Sequence, residues 1–366
     1  MSNSATIRAA VLEKYSPSAP FLSLTRVPAP VAGKGDVVVK VLATRVISNS
    51  KEYLSGSQQL PVELPIIPGP GGIGTIKSIG PGSAHLKVGQ LVYIDPTIRA
   101  RDHPINPQGI IQGVFVPPGL DGLKEWRHGT VAEEILVPVE NVTIIPTSVQ
   151  EKYTPEQLSS LAILTVPHGG LIASGLKQGQ TIAITGSTGS YGTAAVAVSL
   201  ALGARRVLAG GRNKERLDEF VKAFGPRVVP VVQTGDEAKD TEAFIKAAGE
   251  GYDIDVAFDI LPPAADFGYA RSAILALRPK GVAVLMGGVT ANVVIPYGLF
   301  VYKDITIKGK YMYDRVDPTQ LMSLIDAGLL DLSKDHIETF KLEQVEDAIE
   351  WAAANPTAFK AAVVVF

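Results

Sequence analysis

Between positions 181 and 203 the chain changes character three times in quick succession. Thr181-Ile-Ala-Ile-Thr185 is an apolar run rich in β-branched residues, and it stops at Gly186. Ser187-Thr-Gly-Ser-Tyr-Gly192 is small and glycine-dense, and 193–202 is alanine-rich with no breaker before Gly203. That order predicts a strand, a tight turn and a helix. Such a turn leaves N–H groups of a helix N-terminus pointing outward, where a phosphate can sit. Glycine suits it because a Cβ would block both the turn and the approach of a pyrophosphate. Ser187 stands at the first of the three fingerprint glycine positions, so only Gly189 and Gly192 keep the pattern. Glycines also make ordinary strand-to-helix turns, so the neighbouring strands must carry the argument.

Short apolar runs at 206–209, 228–232, 255–260 and 281–286 alternate with helical patterns, such as Lys214–Phe224 ended by Gly225. Near-continuous apolar strands separated by helices predict an α/β fold with a parallel sheet covered on both faces. Right-handed crossovers make that sheet doubly wound. An NAD site places an acid roughly twenty residues past the turn, where it bonds the ribose 2′-hydroxyl. Here that place reads Gly210-Gly211-Arg212-Asn213-Lys214-Glu215-Arg216. No acid stands at the strand end, and cations follow it. Arg212 can stack on adenine and fork to a 2′-phosphate, with Lys214 or Arg216 assisting. The same charges also suit a solvated first helical turn. The expected cofactor is NADPH rather than NADH, with Ser187, Thr188, Gly189, Ser190, Tyr191 and Gly192 at the turn and Gly211, Arg212 and Asn213 at the strand end.

At 366 residues the chain is long enough for roughly two domains. Hydrophobic content of 46% with 19% charged residues allows a large core. A net charge of −2 gives no reason to expect nucleic acid or an acidic membrane surface as partner. There is no cysteine, which excludes disulfides, thiolate zinc sites, iron–sulfur clusters and a cysteine nucleophile. No apolar stretch approaches the ~20 residues of a membrane helix. The first residues do not form a basic-then-apolar leader, and the last carry no lipidation or address motif. A cytoplasmic protein acting on a small molecule is the expectation.

The first part reads as β-rich, with short runs at 9–12, 37–42, 74–79, 90–94 and 130–137 punctuated by Pro and Gly. From 95 to 128 periodicity is lost, which predicts an excursion with little regular structure. Thr154-Pro-Glu-Gln157 predicts a helix start with an N-cap hydroxyl, Pro at N1 and a capping box, running toward Thr165. Later come a β-type run at 304–308, a helix capped by Asp317-Pro318, a helix over 342–354 and a closing strand over 361–366.

With these pieces in place the chain resembles the medium-chain dehydrogenase/reductase superfamily, and in particular its zinc-independent quinone and enone reductase branch. The resemblance rests on Leu64-Pro-Ile-Ile-Pro-Gly-Pro-Gly-Gly-Ile-Gly74, Leu86-Lys-Val-Gly-Gln-Leu-Val92, the 181–192 turn, Leu277-Arg-Pro-Lys-Gly-Val-Ala-Val-Leu-Met-Gly-Gly288 and Phe340-Lys-Leu-Glu-Gln-Val-Glu-Asp-Ala348. It implies a GroES-like β-barrel catalytic domain over 1–150, completed by 310–366, and a Rossmann NADPH-binding domain over 151–309. Cofactor and substrate would meet in the cleft between the two. Zinc-dependent relatives have a cysteine in the loop that reads here Thr44-Arg-Val-Ile-Ser-Asn-Ser-Lys51. They have a histidine and a glutamate where this chain has Pro70 and Gly71. Neither the catalytic nor the structural zinc site is expected, so an oxyanion would have to be met by side-chain or backbone donors.

That favours hydride delivery to a conjugated carbonyl or a quinone-like acceptor, with proton return from a tyrosine or water. The resemblance places Ser48, Asn49, Lys51 and Tyr53 in a loop facing the nicotinamide, and Thr165 and His168 on a helix behind it. Gly287, Gly288 and Val289, at the end of a parallel strand, would lie near the same ring. Tyr311 and Tyr313 could line the substrate side, and Arg99, Arg101 and His103 could hold an acidic substrate or merely the excursion. His85, His128 and His336 form no metal spacing. The family often dimerises through the edge strand of the nucleotide domain, for which 304–308 is the candidate. Competing readings are carbonyl or ring-forming reduction in a biosynthetic route and, from another class, a non-catalytic NADPH-binding sensor.

Overall fold

The computed structural model describes residues 5–58, 60–103, 105, 107–356 and 360–366. Contacts divide the chain into two compact units. One runs to Ala162 and resumes at Asp335–Pro356 and Lys360–Phe366, and the other is Ile163–Lys334. The sequence reading sets the seams at 150/151 and 309/310. They move because the short helix Pro155–Leu158 packs on the Asp36–Val46 and Gly72–Ile79 strands. The helix Asp317–Asp326, in turn, is bonded through Asp317 to His168 of the second unit.

The spine of the first unit is the strand Asp36–Val46, eleven residues long and buried along nearly all of it. One edge pairs antiparallel with Gly72–Ile79. The other edge is shared: Glu134–Pro138 takes the 36–40 end, and the last strand of the chain, Lys360–Val365, takes the 43–46 end. The two chain ends therefore meet in one sheet. His336–Lys341 adds to it in parallel beside the last strand. Val37, Val39, Val41, Ile76, Val92, Ile94, Ile135 and Val137 fill the core between these strands. Each such side chain contributes roughly 1.5–3 kcal/mol relative to exposure. Strand Ser23–Pro28, which pairs with Thr6–Val11, is almost wholly exposed and shows no alternation, so periodicity does not reveal it.

The 95–128 excursion is more regular than expected. It holds an antiparallel ribbon of Thr97–Arg99 with Gly109–Ile111, and a 3-10 turn at Asp121–Trp126. Its anchor is Trp126, whose indole N–H donates to buried Asp36 at 3.1 Å. Arg101 lies 5.2 Å over the Trp126 ring and forks to Glu140 at 2.6 and 2.7 Å. Nδ1 of His128 accepts the Ile67 N–H at 3.2 Å. Burial, helped by neighbouring Arg127, pushes the His128 pKa down to about 4, which keeps that acceptor unprotonated.

The capping box forms as expected: Thr154 Oγ1 accepts the Gln157 N–H, and Gln157 Oε1 accepts the Thr154 N–H. The helix nevertheless stops at Leu158 instead of running to Thr165. Ser159 turns its hydroxyl onto the Glu156 carbonyl at 2.6 Å, the local bond by which serine competes with a helix ladder. A new helix, Leu161–Ser174, carries Thr165 and His168.

In the second unit six parallel strands stand in the order Val228–Val232, Arg206–Gly211, Thr181–Thr185, Val256–Asp259, Val282–Leu285, Thr306–Gly309. Numbered along the chain that is 3-2-1-4-5-6, the doubly wound dinucleotide order, with its switch point between the first and fourth strands. Among the described residues no helix is long and apolar enough to cross a membrane.

Where the C-terminal segment re-enters the first unit, Arg45 is the pin. Its buried guanidinium donates to Asp335 at 2.8 Å and to Ser160 at 3.0 Å. Asp335→Ala leaves that cation buried and uncompensated, which costs about 3 kcal/mol. Both tryptophans, Trp126 and Trp351, lie in this unit. Tryptophan-fluorescence melting should therefore show an earlier transition, whereas an unchanged midpoint would mean that the pin is dispensable.

Candidate functional site

The turn after the first strand of the parallel sheet is shaped by contacts that leave no room for side chains. Gly186 has φ +77°, a conformation that favours glycine. A Cβ on Gly192 would stand 2.1 Å from the Gly186 carbonyl oxygen, so Gly192 sets how closely the helix Ser190–Ala201 approaches the strand. Gly189 is different. It is the N-cap of that helix, and a Cβ there would meet only the Gly186 oxygen, at 3.7 Å. The space over Gly189 is therefore open, at the end where first-turn amides collect. Ser187 is fully buried, and both its N–H and its hydroxyl donate to the Gly210 carbonyl, at 3.1 and 2.9 Å. It ties the turn to the second strand and does not project from it.

Gly211 ends that second strand, and a Cβ there would lie 3.0 Å from Thr188. Arg212 is exposed, its guanidinium 6.0 Å from the Tyr269 ring. Asn213 caps the next helix by accepting the Arg216 N–H at 3.1 Å. Lys214 pairs with Asp218 at 2.6 Å, one turn along the helix. Of the cluster that sequence reasoning assigned here, Asn213 is spent on the cap and Lys214 on its neighbour. Arg212 is the cation that stands beside the strand end and its aromatic neighbour.

A residue that sequence reasoning passed over lies at the switch point. Asp259 ends the fourth strand with 6% of its surface exposed. Its Oδ1 accepts the Thr185 hydroxyl and the Leu261 N–H, both at 3.2 Å. Burial pushes its pKa up to about 6, against the opposing pull of hydrogen bonds from Leu261, Thr185 and the Gly287 backbone. Gly287 fits only as glycine, since a Cβ would lie 2.7 Å from Asp259 Oδ2. Gly288 is exposed beside Pro263, and Val289 packs on the core under the sheet. A charged residue closing the apolar run Val256-Ala-Phe-Asp259 is the signal that could have found it.

Behind these strand ends runs Leu161–Ser174, with Gly170 against Phe258 and Met286 and Gly169 against Tyr313. Thr165 is fully buried within it. His168 is buried too, with Nδ1 2.7 Å from Asp317 Oδ1. Asp317 therefore does not cap its helix, as had been expected. Val316 holds the cap position, while the Asp317 carboxylate takes His168 and the Asp314 N–H at 2.6 Å.

In the first unit, Asn49, Lys51 and Tyr53 sit on or beside the helix Ser50–Leu54 but do not converge. Lys51 and Tyr53 are two residues apart, which places them on opposite faces of a helix. Lys51 reaches out to Glu350 at 2.7 Å, while Tyr53 is buried, its hydroxyl 3.4 Å from Ser50. Asn49 is exposed and its side chain makes no capping bond. Nearby, the Thr44 and Thr130 hydroxyls lie 2.6 Å apart and within 3.0 and 2.9 Å of the Gly71 carbonyl, so one donates to the other and the other to Gly71. Gly71 has φ +82°, and a Cβ on it would lie 2.7 Å from the Ile94 oxygen. Among the described residues no group of three or more His, Cys, Asp or Glu side chains could hold a metal ion.

A six-stranded parallel sheet in this order with a phosphate-shaped turn, carried in one chain with a GroES-like sheet built from both chain ends, is the plan of a medium-chain dehydrogenase/reductase. Residues 33–147 match the family described as alcohol dehydrogenase GroES-like domain, and residues 191–327 the family described as zinc-binding dehydrogenase. The chain belongs to that superfamily of oxidoreductases. It is 25% identical over 338 residues to an L-threonine 3-dehydrogenase of Chromobacterium violaceum, covering 90% of this chain and 92% of that one. Its fold matches a short chain alcohol dehydrogenase from E. coli CFT073 complexed with NADH (TM-score 0.80, 18% identity, 99% and 100% of the two chains). It also matches a putative zinc-binding dehydrogenase from Sinorhizobium meliloti 1021 bound to NADP (TM-score 0.77, 21% identity, 99% and 100%). A zinc ion implied by the family description does not fit at Pro70 and Gly71, where no side chain can ligate one.

The two glycines of the turn predict opposite failures. Gly189→Ala should keep its fold and melting temperature yet weaken dinucleotide binding by roughly tenfold or more, because its methyl group occupies the open space. Gly192→Ala should fail by unfolding the turn. Circular dichroism beside fluorescence titration separates the two, and equal behaviour of the variants would contradict this division of roles.

Proposed function

We propose that this chain is an NADPH-dependent reductase that works without zinc and delivers hydride to a conjugated carbonyl or quinone-like small molecule. The cofactor choice is carried by one observation: the second strand ends at Gly211 with no acid, and exposed Arg212 follows it beside Tyr269. When bound, NADPH supplies the hydride. The chain's own part is to seat the pyrophosphate over Gly189 and to meet the 2′-phosphate with Arg212 through charge-assisted hydrogen bonds.

The metal-free reading is supported by Pro70 and by the side-chain-free, close-packed Gly71. Charge developing on the acceptor oxygen then falls to neutral donors, which a conjugated or quinone oxygen tolerates because its charge is spread. Asn49, with its amide free of capping duty, is the donor the first unit offers best. Relatives such as the L-threonine 3-dehydrogenase favour a second reading, oxidation of a hydroxyl-bearing substrate.

Absorbance of the reduced nicotinamide tests both readings, with NADPH or NADH supplied against panels of enones and quinones, and NADP+ or NAD+ supplied against secondary alcohols. NADPH oxidation by conjugated acceptors is expected, with Arg212→Asp lowering the NADPH-to-NADH preference roughly 10- to 100-fold. Turnover of alcohols alone would support the second reading, and an unchanged preference would place recognition of the 2′-phosphate elsewhere.

The chain is further proposed to form a homodimer through the sheet edge. Thr306–Gly309 is the outermost strand and largely exposed, and beside it the helix Tyr297–Lys303 shows Tyr297, Val301 and Tyr302 to solvent. An uncovered edge with adjoining apolar side chains is a pairing surface. Light scattering should give about twice the chain mass of 38.6 kDa, falling to one chain mass in the double variant Val301→Lys, Tyr302→Asp. A monomeric parent protein would refute it.

A further inference from the structure

Asp259 is a buried carboxyl group with no assigned task, placed where a doubly wound sheet receives its ligand. Three strand ends are fastened around it. Thr185, the last residue before Gly186, gives its hydroxyl; Leu261 gives its N–H; and Gly287 is packed so tightly against Oδ2 that only glycine fits. Backbone bonds from Ile260 to Thr185, from Met286 to Asp259 and from Gly288 to Leu261 continue the same junction. The surrounding elements bring little charge. The strand Thr181–Thr185, the segment 260–265 and the segment 282–290 carry no ionisable side chain. The turn and its helix Ser190–Ala201 carry only Tyr191. Leu161–Ser174 carries only His168, which is bonded to Asp317. Gly268–Leu275, packed on the first and fourth strands, carries Tyr269 and Arg271, and Arg271 is paired with Glu237.

We propose that Asp259 is the positioning residue of the cofactor site, and that seating a dinucleotide on the adjoining turn drives its carboxylate to take up a proton. The proposal rests on the dinucleotide reading given above. A pyrophosphate on the Gly189 turn brings two negative charges to the turn whose first residue, Gly186, packs on Ile260 and Leu261 next to a desolvated carboxylate that, among the described residues, pairs with no cation. Like charge disfavours the ionised form. The burial that already raises the Asp259 pKa to about 6 means that this further push falls near neutral pH. The sign follows from linkage: the complex binds more protons than the free protein, so affinity rises as pH falls through that window. The Thr185 hydroxyl can still serve a protonated Asp259, because a hydroxyl both donates and accepts.

The test is calorimetric titration of the full chain with ADP-ribose, which carries the pyrophosphate but no 2′-phosphate to titrate. Buffers of different ionisation enthalpy report the protons exchanged. Binding should tighten about sixfold between about pH 7.5 and about pH 5.5 if the ligand raises the Asp259 pKa by one unit, with net proton uptake between them. Asp259→Asn should abolish the uptake, flatten the profile and tighten binding near pH 7.5. Thr185→Val, which removes a donor that holds the charge, should move the midpoint to higher pH. Affinity of the parent protein that is flat or weakens toward low pH overturns the proposal, as does a slope that survives in Asp259→Asn. If neither ADP-ribose nor NADPH binds at any pH, the dinucleotide reading itself fails.

Discussion

The site side of the second unit depends on a contact that exists because an atom is missing. The Gly186 carbonyl oxygen lies where a Cβ of residue 192 would be, 2.1 Å away. That contact fixes how closely the helix Ser190–Ala201 stands to its strand, and so where the first-turn amides are delivered. The neighbouring bonds all refer to the same point. Ser187 ties the turn to the second strand through Gly210, Thr193 ties the helix back to Gly189, and Thr185 ties the strand end to Asp259. Move the helix outward by the width of a methyl group and the bond from the Thr193 hydroxyl to the Ser187 carbonyl, 3.3 Å long, is lost.

The first unit solves a different problem, that of closing one sheet from two ends of a chain interrupted by the whole second unit. The spine strand Asp36–Val46 does so by lending a single edge to two partners, one from within the first unit and one from the chain's end. Such long-range pairing is entropically dear until it is locked. The lock is Arg45, on the spine itself, whose buried guanidinium holds Asp335 just where the chain returns. The excursion over 95–128 is held in the same manner, by Trp126 on Asp36 and by Arg101 on Glu140 and the Gly35 carbonyl. Polar groups at the ends of the spine thus fasten what periodicity cannot specify.

This explains what the sequence reveals and what it hides. The five strands 181–185 to 282–285 are legible because they are near-continuous apolar runs, most completely where Thr181–Thr185 is buried at every residue. The capping box at Thr154 is legible because it is a local bond with a fixed spacing. The end of that helix is not, since it depends on a serine hydroxyl choosing the Glu156 carbonyl. Ser23–Pro28 and His336–Lys341 are hidden because exposed strands owe their pairing to a partner far away in sequence. Glycines announce close backbone approaches, such as Gly192 on the Gly186 carbonyl oxygen, since a missing Cβ is visible in the sequence itself. Side-chain bonds are less legible. Ser187, Asn213 and Lys51 have the chemistry expected of a site, but each spends it on a neighbour only the fold supplies.

Asp259 shows why a buried acid can be kept in an apolar junction. An apolar side chain of similar size would spare the desolvation cost but would strand the Thr185 hydroxyl and the Leu261 N–H. The junction therefore needs an acceptor, and the carboxylate supplies one oxygen to Thr185 and Leu261 while the other packs against Gly287. The consequence of that choice is a raised pKa, because burial disfavours the charged form. Arg212, at the other end of the turn, is the reverse case: a cation left exposed, able to meet a ligand anion at little desolvation cost. The same edge of the sheet thus has an attractive charge where extra phosphate would be read and a repulsive, protonatable one where the strands must stay fastened. On the proposed reading, a ligand lying along that edge would be gripped by the first and would shift the second.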